Sequence, residues 1–409
     1  MSWTPDYPRT VPERRPPGQG HLAVPGARPG PYRAGRRHAM SWTPDYPRTV
    51  PERRPPGHRP RAPRWTLGFD APLSLVTSDY LALQCAGPDD PAVGPFLERV
   101  RACHTGRDGA DAPEAWELLS FTDEAGRHNL VHLGYWRDAT AHARWLATAP
   151  LPRWFAELDA AAVPFGAWHE VVQVPLDRVE TIYSDPRRAF GLAACPGTRR
   201  ESMTVNGYFG AARDRLPLSA IDPLEAAVPH RRRARPAASE GRRLRAECGH
   251  NTAVIRSGQY WQQAEGEQLA DYTEALEPKL MAGMAHLREA ADAEGTLSLR
   301  VMTSLDRETL RPLRETSVLG HFHTLAALEG WAAGHATHAA IYEHAIAKNR
   351  QYGEARTVVT WHEVFVLPRT AAFAYVNCHP ATGILPYATS VLAVEPDGPA
   401  GDSPAAYGG

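Results

Sequence analysis

Apolar positions along the chain follow two periods. Alternating runs occur at LSLRVMTSL (297–305), TSVLGHFH (316–323) and TVVTWHEVFVLP (357–368), each spelling a strand with one face turned inward. Thr252–Ser257 reads as a further strand. After it, Leu269, Tyr272, Leu276, Leu280, Met284 and Leu287 recur at spacings of three or four, the stripe of an amphipathic helix, with Pro278 as a point of kinking. Thr324 is placed as the N-cap of a helix over 325–333, and a second short helix is predicted from about Thr337 to Lys348.

The order strand, helix, strand, strand, helix, strand has a counterpart earlier in the chain. LGYW (133–136) resembles LGHF (319–322), and each precedes an amphipathic segment with a Trp, AHARWLATA and LEGWAAGHA. Each then reaches the same tetrapeptide, Trp168-His169-Glu170-Val171 and Trp361-His362-Glu363-Val364. Upstream, LALQCAG (81–87) resembles AVIRSGQ (253–259), which pairs Cys85 with Ser257. The expected fold is α+β: duplicated ferredoxin-like βαββαβ units forming a β-barrel-like sheet flanked by helices. The units are expected over 63–200 and 201–395.

Outside them, residues 1–62 are rich in Pro and Arg, a composition that builds neither a helix nor a central strand. Residues 1–18, MSWTPDYPRTVPERRPPG, return unchanged at 40–57, the mark of a duplication or a misplaced start, with Met40 as the ancestral start. Residues 1–62 and 396–409 are expected to be disordered tails. The basic stretch His230–Arg245 is expected to be a solvated surface loop.

Composition narrows the function classes. With 43% hydrophobic residues in 409, most of the chain can build a core, and a net charge of −1 gives no reason to expect nucleic acid or an anionic membrane as partner. No apolar run is long enough to span a bilayer. The five cysteines (Cys85, Cys103, Cys195, Cys248 and Cys378) form no CxxC and no CxxCH, which gives no support to a zinc ribbon, a thioredoxin-like site or a c-type haem attachment. Free thiols and the lack of a signal-peptide h-region point to the cytoplasm. Neither GxGxxG nor GxxxxGK[ST] is present.

Five residues could carry chemistry. His338, in Gly-His-Ala-Thr-His-Ala-Ala-Ile-Tyr, shares a helical face with Ile341, Tyr342 and Ala345. Small alanines around such an imidazole leave room for a flat cofactor, although an ordinary core or edge histidine is the alternative reading. A non-haem cluster of His335, His338 and His344 lacks a carboxylate and a fixed third ligand. His362 shares a strand face with Val364 and could give and take a proton, but the repeated tetrapeptide also fits a purely structural signature. Ser257, beside Gly258, could orient a substrate oxygen, and no GxSxG elbow surrounds it. Arg215 and Glu180 could form a charged pair, with ordinary surface charges as the alternative.

In order and spacing, NGYFGAARDRLPLS (206–219), GHNTAVIRSGQYW (249–261), GHATHAAIY (334–342), WHEVFV (361–366) and YVNCHPATG (375–383) resemble the aldoxime dehydratases. These are haem-b lyases that include phenylacetaldoxime and aliphatic aldoxime dehydratases, and the resemblance covers roughly residues 60–390. It implies a nitrile-forming dehydration of R–CH=N–OH on ferrous haem b, with His338 as the axial iron ligand. It implies His362 as the distal acid–base residue and Ser257 as the catalytic serine. Arg215 and Glu180 would line the pocket, with Arg213 as the alternative arginine. A homodimer is expected. Another haem enzyme on a ferredoxin-like barrel, peroxidase-like, or a haem-binding protein without catalysis are the competing classes.

Overall fold

The computed structural model describes residues 46–105, 111–235, 237, 239–368 and 371–394. The first half holds β1 (Arg64–Phe69), β2 (Leu75–Cys85), α1 (Val93–His104), β3 (Ala115–Thr122), β4 (His128–Trp136), α2 (Ala139–Thr148), α3 (Pro150–Glu157), β5 (Gly166–Pro175), β6 (Val179–Tyr183) and β7 (Thr198–Met203). The second opens with α4 (Ala211–Arg215), β8 (Arg243–Glu247), β9 (Ala253–Tyr260), α5 (Gly266–Ala270), α6 (Glu277–Glu289), α7 (Ala291–Glu294), β10 (Thr296–Leu305) and β11 (Pro312–Phe322). It ends with α8 (Leu325–Gly334), α9 (Ala336–Tyr352), β12 (Val359–Val366), β13 (Ala372–Val376) and β14 (Ser390–Ala393).

Local chemistry explains the boundaries. Thr324 caps α8 by accepting the Ala327 N–H at 3.2 Å, and Asp138 caps α2 in the same way. The long apolar stripe is one continuous helical run from Gly266 to Glu289 that contains a π-helical turn at Asp271–Leu276, directly before Pro278. Pro278 has no N–H to give, so the ladder is irregular there.

All strands join one antiparallel sheet in the order β14-β8-β13-β5-β2-β4-β3-β10-β11-β9-β12-β6-β1-β7. Within it the run β5-β2-β4-β3 is mirrored by β12-β9-β11-β10. The halves interlock: β6 leaves the first half to pair with β12, and β13 leaves the second to pair with β5. Two polar contacts show that the sheet curls. The Tyr135 hydroxyl on β4 donates to Glu363 on β12 at 3.1 Å, and Arg300 on β10 donates twice to Glu170 on β5, each time at 2.6 Å. The inner face is the main core, with Trp168, Tyr135, Phe365 and Tyr375 among its buried residues. Helices α1–α3 cover the outer face of the first half, and α6, α8 and α9 that of the second.

The register corrects one pairing drawn from the sequence. His362 lies opposite Ser257, and His169 lies opposite Leu81. Leu133 pairs with Tyr80 as Leu319 pairs with Arg256. Both registers make Leu81 the counterpart of Ser257, and Cys85 stands four residues further along, opposite His128. The apolar pattern of the two strands matches in more than one frame, so the sequence alone could not choose.

The expected disordered tail is also corrected in part. Residues 1–45 and 395–409 lie outside the described residues. Residues 46–62, however, run across the second half as a strap whose backbone is hydrogen-bonded to it at Ala220 and Asp214. Pro-rich chain cannot form a ladder, but it can lie extended where acceptors are waiting. The end of the basic stretch His230–Arg245 is likewise not a loop, since Arg243–Arg245 belong to β8.

Candidate active site

Strands β9, β12 and β6 lie side by side, and their shared outer face carries Ser257, His362, Ile182 and Glu180. Period two puts Val364, Ile255 and Val318 on that same face, so the polar group sits at the edge of an apolar floor. His362 Nε2 lies 2.9 Å from Glu180 Oε1. Arg215 Nε donates to Glu180 Oε2 at 2.6 Å, and Arg215 Nη2 lies 3.4 Å from His362 Nε2. The third donor of Arg215, Nη1, is held by the Val205 carbonyl at 2.9 Å. Ser257 is the direct cross-strand neighbour of His362, a position at which opposed Cβ atoms stand about 5 Å apart.

The Arg215–Glu180 pair was open to a surface reading, and the structure rejects that reading. Arg215 is 5% exposed and Glu180 3%. Burial by itself would raise the Glu180 pKa, but the Arg215 guanidinium and His362 hold its carboxyl below the usual range. Of the two arginines, Arg215 meets Glu180 and His362, whereas Arg213 turns to Glu329 on α8, at 3.0 Å. The His362 side chain keeps 27% of its surface accessible while its carboxylate partner has none.

His338 stands on α9 above this floor. Its ring meets Trp331 edge-on, with centroids 4.9 Å apart. Trp331 belongs to the cluster that includes Val364 and Val318, with Ile255, Leu299, Val301 and Ile341 packed against it but only partly buried. Burial lowers the His338 pKa. His338 Nδ1 is buried without a hydrogen-bond partner. A neutral imidazole over a half-covered apolar face, with its polar edge unsatisfied, fits the axial ligation of a flat iron cofactor. The three-histidine alternative gains nothing: among the described residues no group of three or more metal-binding side chains gathers, and His335 instead stacks on His286 and caps α9.

Among the described residues, the matching region of the first half is filled. At the position of Ile255 it has Asp79, fully buried between His142 Nε2 at 2.7 Å and His169 Nε2 at 2.9 Å. Trp136, Trp145 and Phe155 fill the space between its helices and strands.

Sequence reasoning missed Asp214 and the strap residues that hold it. The available signal was the charge run Arg213-Asp214-Arg215 inside an otherwise apolar segment, which requires three buried partners. It also missed the inner-face network around Glu363, which takes the Leu192 N–H at 2.5 Å beside Tyr135 and Tyr183.

The model of the haem-containing dehydratase family matches residues 80–384. The aliphatic aldoxime dehydratase of Pseudomonas chlororaphis is 31% identical over 330 residues, 80% of this chain and 92% of that one. The phenylacetaldoxime dehydratase of Bacillus sp. (strain OxB-1) is 28% identical over 335 residues, 81% and 93% of the two chains. A crystal structure of an aldoxime dehydratase superposes with a TM-score of 0.75 at 31% identity, covering 84% of this chain and 96% of that one. Another, in complex with butyraldoxime, gives 0.75 at 30% identity and covers 84% and 94%. No helix among the described residues is long and apolar enough to cross a membrane. The chain belongs to the haem-containing dehydratase family.

Proposed function

We propose that this chain dehydrates aldoximes, R–CH=N–OH, to nitriles and water, with His338 as the axial ligand of haem b and His362 as the acid–base group. The observation that carries the reading is the placement of His362: hydrogen-bonded to buried Glu180, within reach of Arg215, and directly across from Ser257. The chemistry the bound haem supplies is electron donation toward the oxime N–O bond, which makes the ferrous state the working one.

The residues divide the remaining work. Hydroxide is a poor leaving group, so the departing OH needs a proton, and His362 provides it. The C–H proton must then leave, and neutral His362 accepts it, so the imidazole returns to its starting state with one water and one nitrile formed. Both protein contacts of His362 fall on Nε2, which leaves Nδ1 to face the substrate. The two partners make opposite demands: Glu180 accepts from a protonated Nε2, whereas Arg215 donates to a bare one. With Nδ1 toward the substrate, Nε2 keeps its proton on Glu180 in both the imidazolium and the neutral ring, so the proton that moves is the one on Nδ1. Ser257 holds the oxime hydroxyl in line with the ring. The Ile255–Val318–Val364 floor excludes water.

Residues 63–200 and 201–395 are read as two ferredoxin-like units closing into a barrel-like sheet, supported by the mirrored strand orders and the contacts across the curl. A homodimer fits the edge strand β14, where Leu392 is 56% exposed, and light scattering tests it. Five buried free cysteines suit the cytoplasm. The functional reading is tested by the absorption spectrum of the dithionite-reduced holoprotein. Adding an aldoxime should shift the ferrous bands and then let them return as nitrile accumulates. An unchanged spectrum with no nitrile would contradict it.

A further inference from the structure

Helix α4 carries Arg215, yet it has only five residues. A helix that short does not hold its own geometry in water. Its three consecutive charges are nevertheless all buried, at 3%, 1% and 5% exposed for Arg213, Asp214 and Arg215. Each is satisfied by a different part of the molecule. Arg213 goes to Glu329 on α8, and Arg215 goes to Glu180 on β6. Asp214 goes to the strap: the Arg53 backbone N–H donates to Oδ1 at 3.1 Å and to Oδ2 at 2.9 Å, and Arg48 Nη2 stands 3.7 Å from Oδ1. Tyr208, from the turn before α4, adds a hydroxyl at 2.8 Å.

The strap also reaches the opposite wall. The Arg53 side chain donates to Glu329 at 3.3 Å, and Arg61 makes two hydrogen bonds to Glu343 on α9, at 2.7 and 3.1 Å. Helix α9 is the one that bears His338. Residues 53–61 thus join the two sides of the pocket, the Arg215 side through Asp214 and the His338 side through Glu329 and Glu343. The fit at the crossing is close: Gly210, at φ +92°, sits so near Arg53 that a Cβ there would approach the Arg53 Cδ to 2.7 Å.

We infer that residues 46–62 are a clasp that sets Arg215 onto the Glu180–His362 pair, with Asp214 as a positioning residue that the Arg53 N–H fixes. This rests on the function proposed above. Without the clasp, a buried carboxylate loses its backbone donor, an expensive state for an interior charge. Helix α4 would then shift to rehydrate Asp214 and carry Arg215 off Glu180. A displacement of that kind changes proton handling at His362 more than it changes haem retention or substrate affinity.

The test separates the N–H from the side chain. Arg53→Pro removes both the Arg53 N–H and its ion pair, whereas Arg53→Ala removes only the ion pair. A chain lacking 2–39 and one lacking 2–62 complete the set, the second removing both copies of the 18-residue repeat, so that neither can stand in for the other. With ferrous holoprotein at matched haem, Arg53→Pro and the 2–62 deletion should lose roughly tenfold or more in kcat with KM changed less. Their kcat–pH profile should be displaced from wild type. Arg53→Ala should lose clearly less and keep the wild-type profile, and the 2–39 deletion should stay within about twofold. If the 2–62 deletion does not fold, the Pro/Ala pair still decides. Equal kcat and equal pH profiles for Arg53→Pro and Arg53→Ala would overturn the clasp. Failure of the wild type to form nitrile would instead overturn the functional reading on which it rests.

Discussion

His169 and His362 each place Nε2 2.9 Å from a carboxylate oxygen, in the second position of the same Trp-His-Glu-Val tetrapeptide. The carboxylates differ in origin. Asp79 comes from the strand beside His169, is shared with His142 and is wholly enclosed. Glu180 comes from β6, is shared with Arg215, and leaves the His362 ring partly open. Both rings keep some exposed surface, 14% of the side chain for His169 and 27% for His362.

Replacing Arg215 by Met should raise the Glu180 pKa, because the guanidinium is the largest of the contributions that lower it. The sign follows directly. A depressed carboxyl stays ionised as pH falls, so its service to His362 lasts to more acidic pH. In Arg215→Met the acid limb of kcat/KM should move to higher pH, and kcat should fall by about tenfold or more. A pH–rate series on both proteins checks it.

Ser257→Ala should cost less than loss of His362, since a positioning hydrogen bond is lost in part rather than whole. An effect of about tenfold on kcat is expected. Leu81, its structural counterpart, is fully buried in the first-half core, so Leu81→Ala should cost about 2–5 kcal/mol of stability and little chemistry. Steady-state kinetics beside urea melts separate the two outcomes.

The sequence carried the order of the second half's central elements, β9 to β12, because those strands alternate cleanly and Thr324 caps α8 as expected. However, β11 starts at Pro312 and α9 runs on to Tyr352, and β8, β13 and β14 were not foreseen. His338, His362 and Ser257 could be singled out from local motifs and a family resemblance. What stayed hidden depends on long-range geometry. Arg215 and Glu180 could be named as a possible pair, but across 35 residues nothing in the chain decides that the pair is buried rather than on the surface. The strap was hidden for another reason: its Pro-rich composition reads as disorder, while its order comes from acceptors on Asp214 and Ala220 some 160 residues on.

Glu363 gives a stability prediction with a defined sign. Burial raises its pKa to about 7, only partly offset by Arg256 and by hydrogen bonds from Leu192 and Tyr135. An unfolded Glu titrates near 4.3, so the folded chain loses stability as pH rises from about 4 through about 7, by on the order of 3 kcal/mol at most. Glu363→Gln cannot ionise and should flatten that slope. Urea midpoints of the apoprotein at pH 5 and pH 8 should show a smaller difference in the variant.

His338→Ala should purify nearly free of haem, whereas His335→Ala should keep it, since His335 is engaged with Thr337 and His286. Haem content by pyridine haemochrome decides between them.

The most direct test of the central claim compares the two histidines as chemistry. Nitrile formation is followed anaerobically with dithionite-reduced holoprotein at equal haem content, for wild type, His169→Ala and His362→Ala. The account predicts that His169→Ala turns over within about threefold of wild type while losing about 1–3 kcal/mol of stability. It predicts that His362→Ala retains haem and binds aldoxime, yet is slower by on the order of 10²-fold or more. Comparable turnover in the two variants would contradict the assignment of His362 as the group that moves the proton.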